Sequence, residues 1–305
     1  MAGYSCAPMR VQTWKYSSPA YCATEMVSAT HLVNAKSSMS RYIFRDPNEG
    51  PICFQLSGNN SDTIARATKM ITDLIAPEVI ELNCGCPVTK VRAKNAGSKL
   101  LTQTEKLSQI IREMKNNTDA IITVKMRVEG DVGDHDNKEV AQLVEDAGAD
   151  TIIVHGRHWT ERYDGPCRYD QIAEIIHAVT IPVIGNGDVE DYASLKIMFE
   201  KTQCAGAMIS RAAIGQPWIF AQLEAEALGE DFLVPKAAEV GSIFIDHISR
   251  LAVLEGEYRA ILQARKIAKY YARDLLENKT LFLENIMSCD TLNSLEDVVK
   301  LYFAV

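Results

Sequence analysis

Seven short runs of apolar, largely β-branched residues recur along the chain, each closed by a polar residue or a glycine-containing turn. They read AYCATEM (ending near Glu25), PICFQLSG (Gln55), EVIELNCG (Asn83), AIITVKMR (Lys125), DTIIVHGR (His155), IPVIGNGD (Asn186) and GAMISRA (Ser210). Near-continuous apolar runs of this length predict strands buried on both faces. The segments between them carry helical spacing. From Ser61 to Ile75 the residues Ile64, Ala67, Ile71, Leu74 and Ile75 form one face, with Ser61 or Asp62 as the expected cap. From Lys138 the pattern Val140, Leu143, Val144, Ala147 stops at Gly148, which suits a C′ glycine. Strands alternating with crossover helices predict a parallel sheet, hence an α/β fold of the (β/α)₈ TIM-barrel type. Seven strands leave such a barrel one short. Met1-Ala2-Gly3 leads into loop or helix, so the first strand is expected ahead of residue 1 and the chain is read as N-terminally short. From about Pro235 the strand rhythm ends. Ala237, Val240, Ile243, Phe244, His247, Ile248 and Leu251 outline an amphipathic helix, and 257–278 and 293–303 continue in that style. The expected division is a barrel over 1–234 and a small helical domain over 235–305.

Composition narrows the setting. Apolar residues make up 47% and charged residues 24% of 305 residues, which suits a full-sized globular core. No apolar run has the roughly 18 residues of a membrane span, and the N-terminus lacks the basic flank of a secretory signal. Eight scattered cysteines in so apolar a chain need no disulfide framework, which points to a reducing cytoplasm. A net charge of −8 argues against a nucleic-acid partner unless the basic residues are gathered locally. They are: Lys90, Arg92, Lys94 and Lys99 form one group, Arg157, Arg162 and Arg168 a second, and Arg259, Arg265, Lys266, Lys269 and Arg273 a third.

The strand ends carry the candidate chemistry. Glu25, Gln55, Asn83, Lys125, His155 and Asn186 each close a buried run, and in a β/α barrel such positions converge on one mouth. One polar strand end alone would mean only that a loop meets water; six together do not. Gly185-Asn186-Gly187-Asp188 after the sixth run, and Ser210-Arg211 opening a helix after the seventh, occupy the usual phosphate site of this fold. A phosphate-bearing cofactor follows. Lys125, inside TVKMR, must meet negative charge on an inward position: the N1–C2=O edge of a reduced flavin is one partner and a Schiff-base substrate the rival. His155 reads equally well as a ligand contact or a packed core histidine. In ELNCGCP the Cys84–Cys86 spacing does not suit a zinc ribbon, so no metal is expected. Cys84 reads as a small buried hydrophobe. Cys86, between the strand and Pro87, is placed to act as a general acid, since an ordinary thiol is protonated at neutral pH.

These motifs together carry a resemblance. ELNCGCPVTKVRAKNAGSKLL, TVKMR, VHGR, IPVIGNGD and ISRAAIGQPWIF resemble the tRNA-dihydrouridine synthases, FMN enzymes that reduce uridine in tRNA. The likeness runs from about Met1 to Phe220, with an echo in Ala264-Arg265-Lys266, and the AGS at 96–98 is similar to the bacterial B-type branch. It implies Cys86 as proton donor to C5 of uridine and Asn83 as a support for the base. It implies Gln55, Lys125 and His155 at the isoalloxazine, with Asn186, Gly187, Asp188, Ser210 and Arg211 at the phosphate end. NADPH would be the transient reductant, and no dinucleotide fingerprint is required for it. Lys90, Arg92, Arg127 and Arg157 would lie along the path of the tRNA substrate. Three departures stand out. Only Met1-Ala2-Gly3 remains of the family's A-P-M-A-G opening, Ser210 replaces a glycine, and Cys167-Arg168-Tyr169 replaces a small-acidic-Trp stretch.

Three other readings fit parts of the pattern. They are an FMN oxidoreductase for a small pyrimidine-like molecule, a catalytically disabled RNA-binding descendant, and an aldolase using Lys125.

Overall fold

Parallel pairing runs through the whole sheet. The computed structural model describes residues 1–34, 40–130, 133–275 and 278–305. Its strands are β1 (Cys22–Ala23), β2 (Val27–Ser28), β3 (Ile52–Ser57), β4 (Val79–Cys84), β5 (Ile121–Arg127), β6 (Thr151–His155), β7 (Val183–Asn186) and β8 (Gly206–Met208). They are ordered β1-β3-β4-β5-β6-β7-β8, with β2 also on β3. The helices between successive strands make this a TIM-barrel-like curled sheet, as the alternation predicts. The first predicted run differs in detail. It forms two two-residue strands on either side of a break, and buried Glu25 sits in that break.

Helices cover the sheet because their apolar stripes have the right period. In the Ser61–Ile75 helix, Ile64, Ala67, Thr68 and Ile71 are buried. Fully burying each isoleucine stabilises by about 2 kcal/mol. Its cap is Asn60, one residue earlier than expected, whose side chain accepts from Thr63 N at 2.9 Å. Asp136 caps Asn137–Asp146 in the same way, and Gly148 at φ +98° ends that segment as the C′ glycine.

The chain divides into two compact units. One comprises Tyr21–Met39 and Pro51–Ser210 and holds the sheet; the other comprises Met1–Ala20, Ser40–Gly50 and Arg211–Val305. The division at 210/211 falls earlier than the 234/235 boundary read from the loss of strand rhythm. Helical segments contribute from Arg211 onward, and the second unit also takes in the N-terminal helix Ala7–Tyr16. Hydrophobic rhythm alone cannot report that a distant N-terminal segment joins a later one.

The second unit has its own core, built from Trp218, Ile243, Phe244, Ile248, Leu251, Ile261, Phe282 and Phe303 among others. Its long helices are Ala237–Glu255, Glu257–Tyr271, Lys279–Met287 and Leu292–Phe303; residues 276 and 277 of the expected 257–278 segment lie outside the described residues. Phe244 stacks on Tyr271 at 4.6 Å, and Tyr271 OH meets His247 Nδ1 at 2.8 Å. Arg10 donates to both carboxylate oxygens of buried Glu49, from Nε at 2.5 Å and Nη2 at 3.0 Å, which ties the N-terminal helix to the Ser40–Gly50 segment. At Gly215 (φ +73°) a Cβ would lie 2.7 Å from the Tyr270 carbonyl carbon, so only glycine fits there. Among the described residues no helix is long and apolar enough to cross a membrane.

Candidate active site

Register places the candidate residues on one face of the sheet. Paired residues of parallel strands point the same way, and along a strand every second residue shares a face. Gln55 pairs with Glu81 and Glu81 with Thr123; Asn83 pairs with Lys125; Arg127 pairs with His155 and His155 with Asn186. Spacing by two links these rows through Glu81 and Asn83, and through Thr123, Lys125 and Arg127. The sheet therefore gathers Gln55, Asn83, Lys125, His155 and Asn186. Gln55, Asn83 and Lys125 lie inside their strands rather than after them.

Two chains of hydrogen bonds cross this face. In one, Lys125 Nζ donates to Asn186 Oδ1 at 2.8 Å, and Asn186 Nδ2 donates to Met208 O at 2.7 Å and Ser210 Oγ at 3.2 Å. In the other, Gln55 Nε2 donates to Glu81 Oε1, Asn83 Nδ2 to Gln55 Oε1 at 2.9 Å, and the Cys86 N–H to Asn83 Oδ1 at 2.9 Å. Burial lowers the Lys125 pKa to about 8, and Glu81 opposes that shift. Burial likewise raises the Glu81 carboxyl, with Lys125 and the Gln55 amide pulling it back.

Cys86 is half-buried at the rim, and its loop is held from several sides. Its carbonyl accepts from Ser98 N at 3.2 Å and Ser98 Oγ at 3.0 Å. Ser98 Oγ in turn accepts from Arg92 Nη1 at 2.8 Å. Burial raises the Cys86 thiol pKa, only partly offset by the Val88 N–H and Arg127, so the group stays a protonated acid. Cys84 is fully buried, as its reading as a small hydrophobe requires.

The arginines expected along the RNA path each have protein partners. Arg127 is buried; its Nε donates to Gly85 O at 2.7 Å, and Nη1 and Nη2 reach His158 O and Arg162 O at 3.0–3.1 Å. Arg157, also buried, donates to Gly165 O and to both carboxylate oxygens of Asp188 at 2.5 and 2.7 Å. Arg92 lies 3.4 Å from the centre of the Trp159 ring. These guanidiniums spend their donors on protein acceptors because an unpaired buried charge is expensive. Lys90 is exposed.

At the tail end the outcome is mixed. Gly187 adopts φ +134°, where a Cβ would lie 2.8 Å from Cys167 Sγ. Asp188 (φ +54°) is held by Arg157 and by the Cys167 N–H at 3.1 Å. Ser210 does not take a positive φ, so serine is tolerated where glycine is usual. The helix expected to open at Ser210-Arg211 is a single 3₁₀ turn, Arg211–Ala213; the next helix starts at Ile219. Arg211 belongs to the other compact unit. In the sequence Glu81 is legible as a charged residue two positions before Asn83 inside an apolar run, and Ser98 only as the last residue of the AGS at 96–98.

Polar side chains gathered toward the carboxyl ends of parallel strands are how TIM-barrel-like enzymes build their sites, and this sheet is of that class. Solved structures agree on the fold. Histamine dehydrogenase from Rhizobium sp. 4-9 matches with a TM-score of 0.53 at 14% identity, over 80% of this chain and 46% of that one. A variant of NCR from Zymomonas mobilis gives 0.51 at 11%, over 74% and 84%. The sequence is more specific: the dihydrouridine synthase (Dus) family model matches residues 1–302, and the chain belongs to that family. It is 33% identical to tRNA-dihydrouridine synthase B of Pseudomonas putida over 89% of this chain and 80% of that protein. With tRNA-dihydrouridine synthase B of Vibrio cholerae it shares 29% identity over 99% and 94%.

Proposed function

We propose that this protein reduces a uridine in tRNA to 5,6-dihydrouridine, with FMN as bound cofactor and NADPH as reductant. The observation that carries this reading is the half-buried Cys86, whose N–H is held by Asn83 Oδ1 on the sheet face that also carries Lys125. Membership of the dihydrouridine synthase family and the tRNA-dihydrouridine synthase relatives support it.

The ring end of the site fits a flavin. Lys125 is half-buried and commits one of its three donors to Asn186, which leaves two for a carbonyl-rich ring edge. Thr123, on the same face, is buried with its hydroxyl beside Cys53. Gln55, Lys125 and His155 would contact the ring, with Asn186, Gly187 and Ser210 toward the phosphate. Asp188 would act there through Arg157, which it already pairs. When bound, the reduced flavin supplies the hydride that goes to C6 of the base.

The chain's own residues do the rest. Asn83 orients the loop and the base. Cys86 gives its Sγ proton to C5, so the C5=C6 double bond takes up one hydride and one proton, and the thiolate recovers its proton from water. Arg127 and Arg157 hold the loops that frame the opening. Exposed Lys90 and Lys94 meet RNA phosphates, and Arg92 supports Cys86 through Ser98. Residues 235–305 serve as the tRNA-binding part, with 1–234 catalytic. Exposed Arg259 and Lys269 are its candidate RNA contacts, because Arg265 pairs with Asp290 and Arg273 donates to Ala212 O and Ile214 O. A tRNA substrate places the work in the cytoplasm.

Mass spectrometry of tRNA incubated with the protein, FMN and NADPH tests this. A gain of two hydrogens on a uridine is expected; unaltered tRNA alongside NADPH-reduced flavin would overturn the substrate assignment.

A further inference from the structure

Glu81 has no part in the chemistry proposed above, yet it is fully buried in β4 with Oε2 lacking any hydrogen-bond partner. A carboxylate so placed is costly, even with Lys125 nearby to ease it. What it does follows from donor and acceptor chemistry. Gln55 Nε2 donates to Glu81 Oε1, and wherever Lys125 and this amide hold the carboxyl ionised against burial it can only accept, so Gln55 turns its NH₂ toward Glu81. Gln55 Oε1 is then left to accept from Asn83 Nδ2 at 2.9 Å. With its donor end used, Asn83 presents Oδ1 to the N–H groups of Cys86 (2.9 Å) and Gly85 (3.3 Å). Were the Gln55 amide reversed, Asn83 would reverse with it. Its NH₂ would then face two N–H donors, and the loop bearing the thiol would lose both bonds.

We propose that Glu81 is a positioning residue: as an acceptor-only group it fixes the direction of the Gln55 and Asn83 amides and thereby seats the Cys86 loop. The inference rests on the reading that Cys86 protonates the uridine, but its first test does not. In Glu81→Gln, an isosteric change, glutamine both donates and accepts, so the direction is no longer imposed. The rate at which iodoacetamide labels Cys86, followed by peptide mass spectrometry, should rise about tenfold as the two loop bonds weaken. The exchange variant Gln55→Glu/Glu81→Gln restores an acceptor-only group next to Asn83, and should return labelling to the wild-type rate. In single turnover, the tRNA-dependent oxidation of reduced flavin should slow in Glu81→Gln while its reduction by NADPH does not. Wild-type labelling in Glu81→Gln, or an exchange variant no better protected than Glu81→Gln, overturns the proposal. Should Glu81→Gln not fold, the exchange variant decides alone: protected Cys86 supports the relay and exposed Cys86 refutes it. Wild-type protein that forms no dihydrouridine would instead count against the proposed function.

Discussion

Lys125 Nζ reaches from β5 across β6 to hydrogen-bond Asn186 Oδ1 on β7 at 2.8 Å. A donor-only ammonium settles the direction of the Asn186 amide, just as Glu81 settles that of Gln55. Ser210 is then fixed at the far end of the lysine relay and Cys86 at the far end of the carboxylate relay. Glu81 and Lys125 thus each bond the first of the amides, Gln55 and Asn186, on one face of the sheet, and Gln55 passes the contact to Asn83.

Removing the thiol separates the two halves of the reaction. Cys86→Ala should retain flavin and its reduction by NADPH, while tRNA reduction falls by about 100-fold or more. Stopped-flow measurement of each half-reaction checks this. Because burial raises the thiol pKa, the wild-type tRNA step should hold its rate through neutral pH and decline only at alkaline pH, as the acid is lost. An alkaline decline that persists in Cys86→Ala would assign the titration to another group.

Lys125 leaves a signature in the protein free of flavin. Its pKa falls from an ordinary 10.5 to about 8 on burial, so between these values the unfolded chain binds more protons than the folded one. Stability should therefore rise with pH across that window and be lost as pH falls back through about 8. Urea titrations at several pH values should show the rise in the wild type and a flatter profile in Lys125→Met. The same variant should purify without yellow colour.

Arg127 is a stability residue with a functional consequence. Arg127→Ala leaves the carbonyls of Gly85, His158 and Arg162 without their buried donor. We expect a loss of about 3 kcal/mol by urea unfolding. Arg127→Lys should recover little of it, because a point charge cannot span the two loops as a planar fork does.

His247 makes the protein sensitive to acid. Burial lowers its pKa to about 4, against 6.5 when exposed, so the unfolded chain takes up the proton first as pH falls. The stability contribution is whole above about pH 6.5 and disappears toward pH 4, with a span of about 3 kcal/mol. His247→Gln should flatten the fall in melting temperature over that interval; an unchanged slope would point to carboxylates elsewhere.

Much of this was readable from the chain. Apolar runs broken by helical periodicity define a parallel β/α sheet, because such runs suit strands buried on both faces, as Val79–Cys84 is along its whole length. The motif around Cys86 and the lysine inside TVKMR marked candidate site residues, and Lys125 does find a partner in Asn186, as a charge in an apolar strand must. The fate of the arginines was not readable. Arg127 and Arg157 look in sequence like any cations beside a substrate path, and only the folded loops show that carbonyls and Asp188 occupy them. Nor could spacing reveal that the Ala7–Tyr16 helix joins a unit built mainly from residues beyond 210. Local periodicity is set by neighbours a few positions apart, so the sequence by itself determined the elements and their buried faces. Which donor meets which acceptor depends on groups brought together from distant strands and loops, and the tertiary structure alone decided that.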